Sequence, residues 1–378
     1  MVTFAIIMAA SSVIDFISLA AKNIFEEVIL MSRIINVVVI GYGGMGGWHT
    51  QRLQEIPEVH LAGVYDIKPE RNAAAEAKGI HAYKSFQEVL DDPTVDVLTL
   101  AIPNDQHKPI AIQAMAAGKN VISEKPVTLG SADLEEMIAA SKKYGVMFTV
   151  HQNRRWDEDF RIVKKILADK TLGRVFRISS RVHGSRGIPG DWRNTKEAGG
   201  GMVLDWGVHL LDQMNMMMGQ MPVSCYARLT YVTNEEVDDG FTSLFTFANG
   251  IDFVVEVGTS NFINLPRWYV EGINGTAEVT DFACNGKIVV AKSDEKHDAV
   301  PIITAAGLTK TMAPRTPDTI SELPLPRIPS DIHDYYRNIA ATLNGEATQI
   351  VTHDQQRQVM KLMEAIFESA NNNKVVYF

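Results

Sequence analysis

Cysteine is nearly absent: the 378 residues include two, Cys225 and Cys284. Neither belongs to a Cys-x-x-Cys pair or a Cys/His cluster. A disulfide scaffold and a structural zinc site are therefore not expected, both thiols are expected in the core, and a reducing cytoplasm is the expected compartment. Positive charge is also short, with 36 Lys and Arg against 45 Asp and Glu and a formal net charge of −9. That is the wrong sign for a protein that neutralises a nucleic-acid backbone over a broad face. The apolar stretch from Phe4 to Ile14 ends at Asp15, too short to span a bilayer, and no Lys or Arg precedes it as a signal peptide requires. Met31-Ser32-Arg33 then leads straight into a β-branched run, as a natural start would. Residues 1–32 are thus expected to be an extension from an upstream start. A surface or oligomer-contact helix is the next reading and a membrane anchor the third. Internal repeats and low-complexity segments are missing as well.

What is present is ordinary globular material. Hydrophobic residues make up 46% and charged residues 21%, which argues against disorder, and the length allows two domains. In the first half, strand and helix signals alternate. Ile34–Ile40, Val59–Tyr65, Val95–Ile102, Asn120–Ser123 and Met147–Val150 read as strands. Helices are expected between them: one opened by a Ser85/Glu88 capping box, one over Asp105–Ala117 and one from Ser131 to Gly145. This alternation predicts a doubly wound parallel sheet. The second half differs. Arg174–Val182 alternates in polarity, and Val223–Val232, Phe241–Phe247, Ile251–Val257, Trp268–Glu271 and Thr276–Thr280 follow as strands. Asn249-Gly250 marks a hairpin. A mostly antiparallel open sheet is expected there, then a long loop over Asp298–Arg327 and helices over Asp331–Leu343 and Thr352–Ala370.

Gly41-Tyr42-Gly43-Gly44-Met45-Gly46 follows the first strand and opens a helix. In this G-x-G-x-x-G context Gly41 allows the tight turn, Gly43 the approach of a pyrophosphate and Gly46 close helix–strand packing. Gly44 and Met45 lie in the same turn. Asp66 ends the second strand about 20 residues on, where an acid binds a ribose 2′-OH. Together these point to a dinucleotide, with NAD favoured over NADP because a carboxylate repels a 2′-phosphate. Lys68 softens that preference. Pro103-Asn104, His107 and Glu124 lie at or just past strand ends, on the side where such a sheet binds its cofactor; for Pro103-Asn104 a plain polar turn is an equal reading.

Two further clusters carry chemistry. Lys125, in Glu124-Lys125-Pro126, could hydrogen-bond a reacting oxygen and move a proton; alone it also reads as a surface lysine. In Gly199-Gly200-Gly201-Met202-Val203-Leu204-Asp205-Trp206-Gly207-Val208-His209-Leu210-Leu211-Asp212, an α-helix would put Asp205, His209 and Asp212 on one polar face. The acid could orient the imidazole, and the glycines would let backbone pass close to a ligand. A capped helix with a satisfied histidine is the competing reading. A metal set of Asp205, His209 and Asp212 is the weaker one, because nothing nearby completes it.

With the glycine turn, Glu124-Lys125-Pro126, Asn153-Arg154-Arg155 and the D-x-x-x-H spacing of Asp205 and His209, the chain from about Ile34 to its C-terminus resembles the Gfo/Idh/MocA oxidoreductases. The resemblance implies an α/β protein. A Rossmann domain (33–151) would precede a domain with a large, mostly antiparallel open sheet (152–378), often used for dimer or tetramer assembly. It implies a nicotinamide cofactor, NAD or NADP, no metal, and a sugar, inositol or glycoside whose hydroxyl-bearing carbon exchanges a hydride. Lys125 would bind and polarise the substrate oxygen and contact the cofactor. His209 would be the general acid/base, coupled to Lys125. Asp205 would position substrate or tune His209, and Arg155 and Trp192 would line the pocket, with domain packing the alternative for both. Asp212 and Asn104 are weaker candidates. Partners are a small polyol and further copies of the chain, with neither nucleic acid nor membrane. Trans-dihydrodiol or biliverdin-type reduction fits the lysine–histidine set less well. A non-catalytic dinucleotide sensor of the same fold is the alternative class. Specificity is expected to reside in loops Gly184–Asn194 and Asp298–Arg327.

Overall fold

The computed structural model describes residues 32–292 and 300–378. The stretch from Phe4 to Ile14, with the upstream-start reading, and Asp298 lie outside the described residues.

A five-stranded parallel sheet runs in the order β2–β1–β3–β4–β5, formed by Ile35–Ile40 (β1), Val59–Tyr65 (β2), Val97–Leu100 (β3), Asn120–Ser123 (β4) and Phe148–Val150 (β5). Its inner strands are continuous apolar runs because helices leave neither face to water: Val37 to Ile40 and Val97 to Leu100 are all buried. Helices α1 (Gly44–Leu53), α2 (Pro69–Glu76), α3 (Phe86–Asp91), α4 (His107–Ala116) and α5 (Ser131–Tyr144) alternate with them. Ser85 caps α3 by accepting the Glu88 N–H at 3.1 Å, while the Glu88 carboxylate accepts from Lys84 N–H at 2.6 Å.

A second sheet follows, with α6 (Glu158–Ala168) before it. Its order is β15–β12–β11–β10–β6–β9–β8–β7–β16. The strands are Val175–His183 (β6), Ser224–Thr230 (β7), Gly240–Thr246 (β8), Asp252–Gly258 (β9), Trp268–Gly272 (β10), Gly275–Val279 (β11), Gly286–Ala291 (β12), Ile320–Leu323 (β15) and Val376–Tyr377 (β16). Pairing is antiparallel except where β6 meets β9 in parallel. Alternation sorts the faces: Phe253, Val255, Val257, Trp268 and Val270 are buried, while Tyr226 and Leu244 on the opposite face are exposed. The Asn249-Gly250 turn joins β8 to β9 as expected, with Gly250 at φ +81°. Helix α7 (Val208–Met218) and the last helix pack together, and the last helix also covers β7.

Residues 300–327 depart from the expected plain loop. Ile302–Thr304 (β13) and Gly307–Thr309 (β14) form a small hairpin, and β15 adds to the sheet edge beside β12. These strands of three or four residues are too short to show a period in sequence. The C-terminal part brings α8 (Asp334–Leu343) and α9 (His353–Asn372), the latter opened by a Thr352/Gln355 capping box. Both cysteines are free and buried, and burial pushes the Cys225 thiol up to about 12. Among the described residues no helix is long and apolar enough to cross a membrane.

By compactness the chain forms two units. One runs to Leu98 and includes Tyr336–Ile350; the other comprises Thr99–Tyr335 and Val351–Phe378. Within the first, Tyr336 bonds His49 Nδ1 through its hydroxyl at 2.8 Å, and Asn344 donates to the Arg33 carbonyl at 3.0 Å. Within the second, a buried charge joins α6 to the sheet. Arg267 lies 3.0 Å from Asp159, which also accepts from the Trp268 indole at 2.8 Å. Burying rings such as Trp268, Phe160 and Phe253 contributes on the order of 2–3 kcal/mol each.

Candidate active site

In the first unit the glycine turn has the form its spacing predicts. Gly41 sits at φ +91°, and a Cβ on Gly46 would overlap the Gly41 carbonyl, so only glycine lets α1 start this close to β1. No side chain caps α1; Gly44 and Met45 are exposed at its first turn, leaving main-chain N–H groups for an anion. Asp66 is buried at the end of β2. Its Oδ2 accepts from Tyr42 N–H at 2.7 Å and from Arg71 Nη1 at 3.1 Å, and its Oδ1 accepts from Lys68 N–H at 2.9 Å. Burial alone would raise this carboxyl, but the three donors overcome it and hold the pKa below the ordinary carboxylate value. The turn and the acid fit a dinucleotide. Arg71 was not singled out from the sequence, although it follows Asp66 by five residues and could balance a 2′-phosphate.

In the second unit, three short stretches meet at one carboxylate. Lys125 follows β4 at the start of a cis Lys125–Pro126 bond. Its Nζ donates to Asp205 Oδ1 at 2.9 Å and to the Asp205 carbonyl at 3.1 Å. Arg193, in a short 3₁₀ turn after Asp191, donates from Nε to Asp205 Oδ2 at 2.9 Å. Burial raises the Asp205 carboxyl, yet Lys125 and Arg193 outweigh it and keep the group ionised below its usual range. Glu124 backs this arrangement: Oε2 accepts from Lys125 N–H at 3.0 Å, and Oε1 pairs with His151 Nδ1 at 2.8 Å.

His209 is buried, with its ring edge-on to Trp206 at 6.0 Å. The expected Asp205–His209 contact does not form. Asp205 lies in a π-helical turn, Val203–Gly207, that precedes α7, so α-helical spacing does not apply between the two residues. Among the described residues neither ring nitrogen of His209 makes a hydrogen bond, and Nδ1 is fully buried. Burial, reinforced by the cations Lys125 and Arg154, holds the imidazole pKa well below its ordinary value. The histidine is therefore neutral at neutral pH. Asp212 is engaged elsewhere, in a buried bidentate pair with Arg155 at 2.7 and 2.6 Å. Cations thus take up both carboxylates of the trio weighed as a metal set.

The remaining candidates are mostly structural in their contacts. Asn104 donates to the Ala198 carbonyl at 3.1 Å. Both nitrogens of buried His107 face main-chain carbonyls, of Pro126 at 3.0 Å and Ile102 at 3.1 Å, so its polar groups tie strand ends together. Pro103 is exposed, and Trp192 lies under the Arg193 guanidinium at 4.5 Å. The three glycines meet protein where a ligand was expected. A Cβ on Gly200 would overlap the Arg193 carbonyl, and one on Gly201, at φ +101°, the Asp238 carboxylate.

Residues 35–152 match the model of an oxidoreductase family with the NAD-binding Rossmann fold, and residues 160–278 match the GFO/IDH/MocA C-terminal domain. The chain belongs to the Gfo/Idh/MocA family. Among solved structures it is similar to an NAD-binding protein from Listeria innocua, 46% identical, with a TM-score of 0.87 over 92% of this chain and 100% of that one. It is also similar to the myo-inositol 2-dehydrogenase of Thermotoga maritima, 30% identical over 279 residues, covering 71% of this chain and 78% of that protein. The scyllo-inositol 2-dehydrogenase (NADP(+)) of Bacillus subtilis is 24% identical over 350 residues, covering 90% and 95%. This Gfo/Idh/MocA protein is accordingly an oxidoreductase with an NAD-binding Rossmann domain.

One carboxylate that sequence reasoning missed anchors the start of its π turn. Asp238 accepts from Val203 N–H at 2.8 Å, and its carbonyl accepts from Met202 N–H at 2.9 Å. Burial, with Asp239 beside it, pushes the Asp238 carboxyl up to about 7. The folded chain thus holds this proton more tightly than the unfolded chain does. The resulting stability is complete below about pH 4 and is lost as pH rises through about 7. Asp238→Asn keeps an acceptor for Val203 and cannot ionise. Its stability relative to wild type, from denaturant melts, should rise between about pH 4 and 7 by on the order of a few kcal/mol and then level off. Parallel stability curves would contradict this assignment.

Proposed function

We propose that this oxidoreductase transfers a hydride between a nicotinamide cofactor and a secondary hydroxyl or ketone carbon of a sugar, inositol or glycoside. The observation that carries the reading is the pairing of an ammonium held on a buried carboxylate with a neutral histidine that has no partner among the described residues. Lys125 binds the substrate oxygen through the N–H that Asp205 leaves over, and it stabilises negative charge developing there. His209 takes the hydroxyl proton in oxidation and returns it in reduction. Its neutral form is the base this requires, and burial keeps it in that form. Asp205 holds Lys125 in place. Arg155 fixes α7, and with it His209, through Asp212.

Bound nicotinamide supplies the acceptor or donor of the hydride. The Gly41–Gly46 turn would hold its pyrophosphate and Asp66 the adenosine ribose, with Arg71 at hand for a 2′-phosphate. The relatives named for inositol oxidation support a polyol substrate, and one of them is named for NADP(+).

Lys125→Met and His209→Asn should fold, bind NAD and lose about 10²- to 10⁴-fold in kcat/KM, read at the reduced-nicotinamide absorbance across a polyol panel. Since the His209 pKa is depressed, the acidic limb of kcat/KM should lie below the ordinary histidine value of 6.5, with activity falling as pH drops through it. Wild-type turnover by Lys125→Met would overturn the assignment.

The ribose end makes a separate prediction. Asp66→Ala should weaken NAD and improve NADP use relative to it by about tenfold or more, whereas Arg71→Ala should depress NADP use alone. Unchanged kcat/KM ratios for the two cofactors in both variants would refute this.

A further inference from the structure

Asp205 has two carboxylate oxygens, and a different cation occupies each. Lys125 Nζ takes Oδ1 and the main-chain carbonyl, which leaves one of its three N–H groups. Arg193 Nε takes Oδ2 at 2.9 Å, and Arg193 Nη1 donates to Asp191 Oδ2 at 2.8 Å. Among the described residues Arg193 Nη2 makes no hydrogen bond. A single carboxylate therefore sets two cations side by side, each with donors to spare. The Arg193 side chain is 27% exposed and that of Lys125 15%, against 7% for Asp205, so the two cationic side chains are more open than the carboxylate between them.

The arginine is held in advance. Its guanidinium lies over Trp192, its N–H donates to Asp191 Oδ1 at 3.0 Å, and its carbonyl accepts from Gly201 N–H at 3.0 Å. Such anchoring lowers the cost of ordering a long side chain when a ligand arrives. Charge also discriminates between ligands. Lys125 and Arg193 are balanced by Asp205 and Asp191, so the cluster lacks the surplus cation that a carboxylate or phosphate substrate would call for.

We propose that Arg193 is a specificity-determining residue that reads the oxygen on the carbon next to the reacting one, so that the substrate is an uncharged polyol with vicinal oxygens. The proposal rests on the reaction assigned above to Lys125 and His209. One oxygen sits on Lys125 and His209 and reacts; its neighbour accepts from Arg193 and stays unchanged. A planar guanidinium with spare N–H groups suits this role better than a second ammonium would.

Steady-state kinetics of the full chain with NAD provide the test. Three substrate types are compared: a polyol that the wild type oxidises, each monodeoxy analogue lacking a hydroxyl next to the reacting carbon, and the corresponding carboxylate-bearing sugar. Wild type should favour the parent polyol over one deoxy analogue by about 10²-fold in kcat/KM, and the carboxylate-bearing sugar should be no better than the parent. In Arg193→Met the parent should fall by about 10²-fold while that deoxy analogue changes by less than about threefold, erasing the preference. Arg193→Lys should restore part of it. Equal losses on parent and analogue would mean that Arg193 only supports its loop, and would overturn the proposal. So would no loss on either, or a preference for the carboxylate-bearing sugar. A wild type that oxidises no polyol would refute the reaction class itself; each of the other contrary results, obtained with an active wild type, refutes only the role of Arg193.

Discussion

A carboxylate taken out of water must find cations or lose its charge, and Asp205 is such a carboxylate. Its environment is arranged around that constraint. Lys125 comes from the end of β4, some 80 residues before Asp205, and Arg193 from a 3₁₀ turn 12 residues before Asp205, which itself lies in a π turn; together they keep one charge solvated by protein. Removing both cations would leave an uncompensated buried charge, a change that costs on the order of 3–5 kcal/mol in comparable pairs, whereas the loss of one leaves Asp205 paired with the other. The same arrangement holds the ammonium of Lys125 firmly while leaving it a donor for substrate. Structure and chemistry thus depend on one pair of hydrogen bonds.

Other buried ions repeat the principle around it. Arg155 with Asp212 fixes α7, and Arg267 with Asp159 joins α6 to β10. His209 is the exception: it is buried near Lys125 and Arg154 and lacks any carboxylate partner of its own. Two nearby positive charges make a third unfavourable, so the ring stays neutral and able to accept a proton. A histidine paired with Asp205, as α-helical spacing suggested, would instead have been driven toward its charged form.

Much of the fold was legible because it follows from local rules. The inner strands of the first sheet announce themselves as β-branched runs, Asn249-Gly250 as a hairpin, and Gly41 to Gly46 with Asp66 as a nucleotide turn. At the site, Lys125, Asp205 and His209 were visible as residue types in suggestive places, but their partners were not. Whether five residues wind as α or π depends on tertiary contacts such as Asp238 against Val203, about 35 positions away, and propensity carries no signal for it. Gly200 and Gly201 looked like room for a ligand and are in fact room for Arg193 and Asp238. Arg193 and Arg71 were passed over because an arginine declares its role only through the acid it meets in space. The short strands β13 to β15 escaped because an edge strand needs little periodicity to pair.

The most direct test follows the hydride itself. Wild type would be incubated with NAD and a polyol carrying deuterium on its carbinol carbons, and the reduced nicotinamide analysed by mass spectrometry. One deuterium per reduced cofactor is expected, formed by wild type and not by Lys125→Met. Reduced cofactor without deuterium, or labelled cofactor formed equally well by the variant, would contradict it.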